Sequence, residues 1–298
     1  MLPPYPKTYR EGDVVLVIIG IVVVLVSVIG GFILEGGPIL VLIQLAEFLI
    51  IGGSAIGALL ISTPNKLLKK LINNILKSLK GSKISKQTYL DVLKLLYELF
   101  IVIRKDGLIA IESHIEKPSE SAIFQRYPMF LSQIHLIDFL SDTLRLVIMG
   151  GVPPHDIEIL MDSDIELHHA EGTKPGMILQ KIGDSLPGLG IVAAVLGIVI
   201  TMQAINGPPE EIGHKVAAAL VGTFLGIFAS YGFVQPLATN MDLANDDETG
   251  VFNVIKSGII CSAKGLNPIV AVEFARRSIS SDFRPSFQEM ESYVKEMK

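Results

Sequence analysis

Apolar positions in this chain gather into four long blocks instead of alternating with polar ones. Val14–Leu34 runs 21 residues without a charge, and Ile39–Ser62 runs 24 with a single carboxylate, Glu47. Leu186–Ile205 and Val216–Ala238 run 20 and 23 residues, both uncharged. About 20 apolar residues in a helix cross the hydrocarbon of a bilayer, so each block predicts a spanning helix. One such block has an ordinary reading as the buried helix of a soluble core; four in one chain do not. The first is too long for a signal-peptide core and lacks a small-residue cleavage site, which predicts a retained helix.

The connections set the topology. The turn EGGP (Glu35–Pro38) joins the first two blocks, and NGPPEEIGHK (Asn206–Lys215) joins the last two. Of 25 Lys and Arg, fifteen lie between the second and third blocks and seven follow the fourth. Basic residues near membrane ends stay in the cytoplasm. Both termini and the long middle segment are therefore expected in the cytoplasm, with the two short hairpins outside. This divides the chain into residues 1–62 (an N-terminal segment and helices one and two), a cytoplasmic helical region 63–185, helices three and four in 186–238, and a cytoplasmic tail 239–298.

Outside the blocks the polar stretches keep helical spacing. In PNKLLKKLINNILKSLKG, Leu67, Leu68, Leu71, Ile72, Ile75, Leu76 and Leu79 share one face. Lys66, Lys69, Lys70, Lys77 and Lys80 share the other, and Gly81 is expected to stop the helix. Such a basic amphipathic helix either lies on anionic lipid or packs on neighbouring helices. A second helix is expected near Ser85–Ile103, with Tyr89, Val92, Leu93, Leu96, Leu99 and Phe100 inward. A third follows Pro128 with Leu131, Ile134, Ile137 and Leu140 or Leu144, and the tail opens one at Asn267 and Pro268. No stretch reads as a strand. The expected fold is all-α: a polytopic membrane protein with four spanning helices and a helical cytoplasmic part.

Composition agrees, with half the residues hydrophobic and only 18% charged. A net charge of −5 carries no nucleic-acid signature. The single Cys261 forbids an internal disulfide. GLGIVA (Gly188–Ala193) fits a dinucleotide-binding pattern, but no strand precedes it and it lies inside a membrane block. His168 and His169 are adjacent, hence on different helix faces, and make poor shared metal ligands; Asp162, Asp164, Glu166 and Glu171 beside them read as a solvated face. No constellation supplies a nucleophile or a metal, so neither an enzyme nor a cofactor is expected.

The blocks themselves hold small residues and prolines. Gly53 and Gly57 in the second, Gly188 and Gly190 in the third, and Gly222 and Gly226 in the fourth allow close helix approach in lipid, where packing replaces the hydrophobic drive. Pro187 and Pro236 lie at the cytoplasmic ends of helices three and four, as boundary punctuation or as functional kinks. Helices three and four carry hydroxyls (Thr201, Thr223, Ser230, Tyr231) but no carboxylate, histidine or lysine in their cores. Glu47 is the only intramembrane charge, either functional or a structural carboxyl. Either the chain is not an ion path or a second protein brings the acid.

GDSLPGLGIVAAVLGIVITM and GTFLGIFASYGFVQPLA resemble the A subunit of the bacterial flagellar stator, the MotA family. So do AEFLIIGGSAIGAL, IRKDGLIAIESHIEKPSESAIFQRYP and AVEFARRSISSDFRPSF, which extends the resemblance over nearly the whole chain. The resemblance implies an inner-membrane ring of A subunits, five around two B subunits, with each B subunit contributing a membrane aspartate that binds and releases ions. It places the family's functional prolines on Pro187 and Pro236, its threonine beside the ion site on Thr223, and its rotor-facing charges on Arg104 and Glu112. Those charges would meet the rotor's switch-complex protein, making 63–185 the rotor-interacting region and 186–238 the ion-path core. Arg104 and Glu112 share similar faces if the segment is helical throughout, an assumption that Gly107 weakens. Ala194 stands where sodium-driven relatives carry a threonine, which favours protons as the transported ion. Alternative readings are a TolQ- or ExbB-like energiser of outer-membrane processes, a stator-like component of a defence system, and a non-conducting membrane scaffold.

Overall fold

The computed structural model describes residues 11–79, 84–203 and 205–296, with side chains from residue 15 onward. Lys80 and the expected stop at Gly81 lie outside the described residues. Among the described residues every regular element is helical, and four helices are long and apolar enough to cross a membrane. The described residues divide into two compact units, one from residues 11–79 with 172–244 and one from residues 84–171 with 245–296. These units group residues by packing, whereas the sequence boundaries grouped them by membrane crossing.

In the first unit, α1 (Glu11–Leu34) and the following turn match the first block and its hairpin. The second block is not one helix. It breaks into α2 (Ile39–Leu42) and α3 (Leu45–Ser62), because Ile43 and Gln44 leave helical geometry and the Gln44 side-chain amide donates to the Val41 carbonyl at 3.0 Å. Apolarity alone does not reveal this break, which puts Glu47 in the first turn of α3. The basic helix α4 (Asn65–Ser78) follows, starting after Pro64. Leu71 on its apolar face is buried with Leu179, Ala238 and Met241, and Ser78 hydrogen-bonds Asn240, while Ile72 and Leu76 stay exposed. Part of that face therefore packs on protein.

The second unit is built around α5 (Lys86–Asp106). Ser85 caps it reciprocally with Thr88, satisfying donors that a helix start leaves unpaired. Tyr89, Val92, Leu93, Leu96, Leu99 and Phe100 are all buried, as the spacing predicts. Each contributes on the order of 1.5–3 kcal/mol on burial. After α5 come a 3-10 turn, α6 (Glu112–Glu116), two more short turns and α7 (Pro128–Leu131). The single helix expected after Pro128 is thus two, α7 and α8 (Ile134–Met149). Of its expected inward residues, Leu140 and Leu144 are buried, but Ile134 is exposed at the start of α8.

The third and fourth blocks are segments of longer helices. Helix α9 runs Pro154–Gln203, 50 residues with Pro175 and Pro187 inside it. Helix α10 (Pro209–Ala229) passes through a π-helical turn, Ser230–Val234, directly into α11 (Gln235–Ala263). The acidic stretch of α9 is not wholly a solvated face. Asp162 pairs with Lys256 at 2.5 Å and Glu158 with Lys264 at 3.5 Å, so ion pairs join α9 to α11 within the second unit. His168 packs on Phe252 with ring centroids 4.4 Å apart and planes tilted by 39°, whereas His169 meets Asn245 and Thr249, and no metal-binding group occurs among the described residues. Helices α12 (Pro268–Arg277) and α13 (Phe287–Lys295) close this unit. Asn267 occupies the α12 cap position with extended backbone but makes no side-chain cap.

Candidate ion-path site

In the first unit, α9 and α10 approach through their glycines. A Cβ on Gly226 would fall 2.5 Å from the Leu186 carbonyl oxygen and 2.9 Å from Gly190 Cα. A Cβ on Gly190 would fall 2.8 Å from the Gly222 carbonyl oxygen and 3.3 Å from Thr223 Cα. Gly190 and Gly226 are thus the close-approach pair, one from each helix, at a distance no side chain permits. The other glycines differ. Nothing lies within 4 Å of a Cβ on Gly188 or Gly57, and only Leu49 comes that near Gly53, so within this chain these three face open space.

Gly222 serves a different neighbour from the one its GxxxG spacing suggests. A Cβ there would fall 2.5 Å from Glu47 Oε2 and 3.1 Å from Ala193 Cβ. It makes room for a carboxyl from α3 more than for a helix backbone. Glu47 is 7% exposed, and its Oε2 is fully enclosed with no hydrogen-bond partner. Ala194 is buried and Thr223 half-buried; Thr223 follows Gly222, which faces this carboxyl, and Ala194 follows Ala193, which packs beside Gly222.

The prolines belong to helix interiors, not helix boundaries. Pro187 has no N–H, so the carbonyl four residues before it, on Gly183, loses its helical donor. The Ser230 hydroxyl, fully buried in the π-helical turn, donates to that carbonyl at 2.7 Å. The Gln235 amide then donates to Ser230 Oγ at 3.1 Å and to Asp184 at 3.0 Å. A Cβ on Gly183 would fall 2.9 Å from Gln235 Cγ, so the glycine allows this junction to close. Pro236 follows Gln235 and removes the next donor to its own helix, beside the widened π turn. The prolines are legible in the sequence, where Ser230 shows only as a hydroxyl. The missing carbonyl at Gly183 was the available signal, but its partner lies 47 residues away. Thr201 is simpler, its hydroxyl donating to the Gly197 carbonyl of its own helix at 2.8 Å.

Arg104 and Glu112 lie in the second unit, both exposed and in no ion pair among the described residues. They do not share one helix. Gly107, at φ 85°, ends α5, and a 3-10 turn intervenes before α6 opens at Glu112. The continuous-helix assumption behind their common face therefore fails. Nearby, Glu98 is buried, accepts from the Tyr127 hydroxyl at 3.0 Å and pairs with Arg126. Burial pushes its carboxyl above the usual range, with Tyr127 and Arg126 opposing.

Residues 18–107 match a family model described as motility protein A N-terminal, and residues 133–252 match one for the MotA/TolQ/ExbB proton channel family. Motility protein A of Salmonella typhimurium strain LT2 is 41% identical over 280 residues, 94% of this chain and 95% of that one. Motility protein A of Escherichia coli K12 is 40% identical over 283 residues, covering 95% and 96%. Among solved structures, that of Campylobacter jejuni MotAB (C. jejuni) aligns with a TM-score of 0.74 at 25% identity, covering 89% of this chain and 96% of that chain. The Bacillus subtilis MotAB stator complex aligns at 0.72 and 24%, covering 92% and 98%, a likeness of fold.

Proposed function

The chain belongs to the motility protein A family, the A subunits of the flagellar stator, and from that membership we propose how its residues work. In the inner membrane, with both termini in the cytoplasm, it joins a B subunit to form a proton channel whose ion flow turns the flagellar rotor. The observation that carries this reading is the α9–α10 seam. Residues 185–203 and 216–229 hold no ionisable group, yet their glycines bring the two backbones together beside Thr223 and Ala194. Such a wall conducts protons only if a partner helix supplies the acid. The motility protein A N-terminal match over 18–107 favours the stator over a TolQ- or ExbB-like energiser. Ala194 offers no hydroxyl to a dehydrated sodium ion, whereas Thr223 offers one that can hold a water or the partner's carboxyl.

Arg104 and Glu112, exposed on separate elements of the second unit, are its contact with the rotor's switch-complex protein. A ring of A subunits, five around two B subunits, uses the open glycines of α3. The test is rotation in a strain lacking its own stator, with the B subunit co-expressed. Wild type should turn the motor without sodium, and Thr223→Val should slow it while the complex stays assembled. Reversing Arg104 and Glu112 together should abolish torque under load without removing the protein from the membrane. Rotation that stops when sodium is withdrawn overturns the proton assignment, and normal torque in the double reversal overturns the rotor contact.

A further inference from the structure

Glu47 is the one charged residue in the four membrane blocks, and the mechanism above gives it no part. Its surroundings are built for a carboxyl. Oε2 is fully enclosed, and a Cβ on Gly222 would fall 2.5 Å from it. A Cβ on Gly197 would fall 3.7 Å from Oε1 and 2.8 Å from the Cβ of Ala219. Two helices, α9 and α10, therefore keep glycines beside one acid of α3 that is 7% exposed.

The three helices that meet there bring no fixed cation to it. On α9 no ionisable residue follows Asp184 to Gln203, on α10 none lies between Lys215 and Ala229, and α3 holds no other. The break at Ile43 and Gln44 gives Glu47 something else: a helix start inside the membrane block. The N–H groups of Leu45, Ala46 and Glu47 have no partner within a helix that begins there, and such an end favours a negative charge. The helix end suits the ionised form and the small apolar lining suits the neutral one. An acid that both forms fit, with no partner to lock it in either, suits proton exchange, and ionisable groups inside membranes mark ion paths by default. It lies against Gly222, the residue preceding Thr223.

We propose that Glu47 is a second proton-binding site of the channel, supplied by this chain, which loads a proton from the outer water and hands it towards the partner's acid. In the loading step a hydrated proton adds to a carboxylate oxygen, forming O–H and leaving water. In the release step that O–H breaks, its proton passes to a water or to the partner's carboxylate, and the Glu47 carboxylate is restored. This rests on the stator reading, since it needs a partner to receive the proton.

The experiment uses the full A–B complex, with wild type, Glu47→Gln and Glu47→Asp. Infrared spectra of the complex in membranes, titrated in water and in deuterium oxide, should show a protonated-carboxyl stretch that exchanges. It should vanish in Glu47→Gln and move in Glu47→Asp. Motor speed in the stator-less strain should fall about tenfold or more in Glu47→Gln, and Glu47→Asp should recover much of it. Full speed in Glu47→Gln overturns the proposal. If Glu47→Gln does not assemble, Glu47→Asp decides: a stretch that neither moves with that change nor titrates overturns it, and one that does both supports it. A wild-type complex that fails to turn the motor sinks the stator reading itself and is seen before any variant is scored.

Discussion

Glycines that look alike in the sequence separate sharply once the space beside each is known. Gly226→Ala would put its methyl 2.5 Å from the Leu186 carbonyl oxygen, with backbone on the other side that cannot swing away. It should cost roughly 1–3 kcal/mol, as overpacking does. Gly188→Ala meets nothing within 4 Å and should leave the isolated chain unchanged or stabilise it by roughly 0.5–1 kcal/mol through helix propensity. Denaturant unfolding in mild detergent separates the two, and equal effects would show that the α9–α10 approach is looser than described. A charged residue gives a pH prediction at the same scale. Arg276 and Arg277 hydrogen-bond Glu273 and hold its carboxyl below the usual range, while Arg276 also donates to the Pro285 carbonyl at 2.8 Å. With the folded value depressed, this stabilisation is complete above the ordinary glutamate range and fades as the pH falls through the lowered folded value. Hydrogen exchange in α12 and the segment to Pro285 should quicken over that acidic window, and Glu273→Gln should remove the pH dependence.

At the scale of elements, the prolines show why part of the site escaped the sequence. Pro187 was readable as a first-turn proline and Pro236 as one that frees a carbonyl, because block polarity placed both near helix ends, whereas α9 runs through Pro187 and is 50 residues in all. A helix persists through a proline when something else takes the freed carbonyl, and here Ser230 does so from the opposite helix. Local spacing cannot show a donor that reaches its place only through a π turn 47 residues on. This makes a double-mutant cycle informative. Ser230→Ala leaves the Gly183 carbonyl buried without its donor and should cost about 1–3 kcal/mol. Pro187→Ala restores an N–H four residues after Gly183, so Ser230→Ala should cost much less in that background. Additive losses, measured by unfolding of the purified protein, would show that Ser230 stabilises the junction by packing and not by replacing the missing donor.

The whole chain was legible where the bilayer enforces local rules and less so where packing decides. Four blocks gave four spanning helices because hydrocarbon demands internally bonded apolar helices. The Tyr89–Phe100 face of α5 was readable for a similar reason, since it keeps helical spacing, whereas Leu90, Leu95 and Glu98, buried on its other sides, were not. The break before Glu47 turns on a Gln44–Val41 bond that apolarity hides, and the Asp162–Lys256 pair depends on a contact between distant segments. What the single chain leaves open bears on assembly. The first spanning segment buries none of its apolar window, and lipid alone is an adequate neighbour for exposed valine and isoleucine. Gly53 and Gly57 on α3 are different, because lipid has no use for a missing side chain, whereas an approaching helix does. Gly53→Leu and Gly57→Leu should therefore leave helicity and the α9–α10 seam intact while breaking up the ring. Native mass measurement of the A–B complex in mild detergent reads the number of A subunits directly. Loss of the oligomer in these variants, with circular dichroism unchanged, would assign the α3 glycines to the contact between neighbouring subunits or with the partner. Wild-type protein that stays monomeric with its partner present would remove the ring, and variants that assemble like wild type would move the contact to another face.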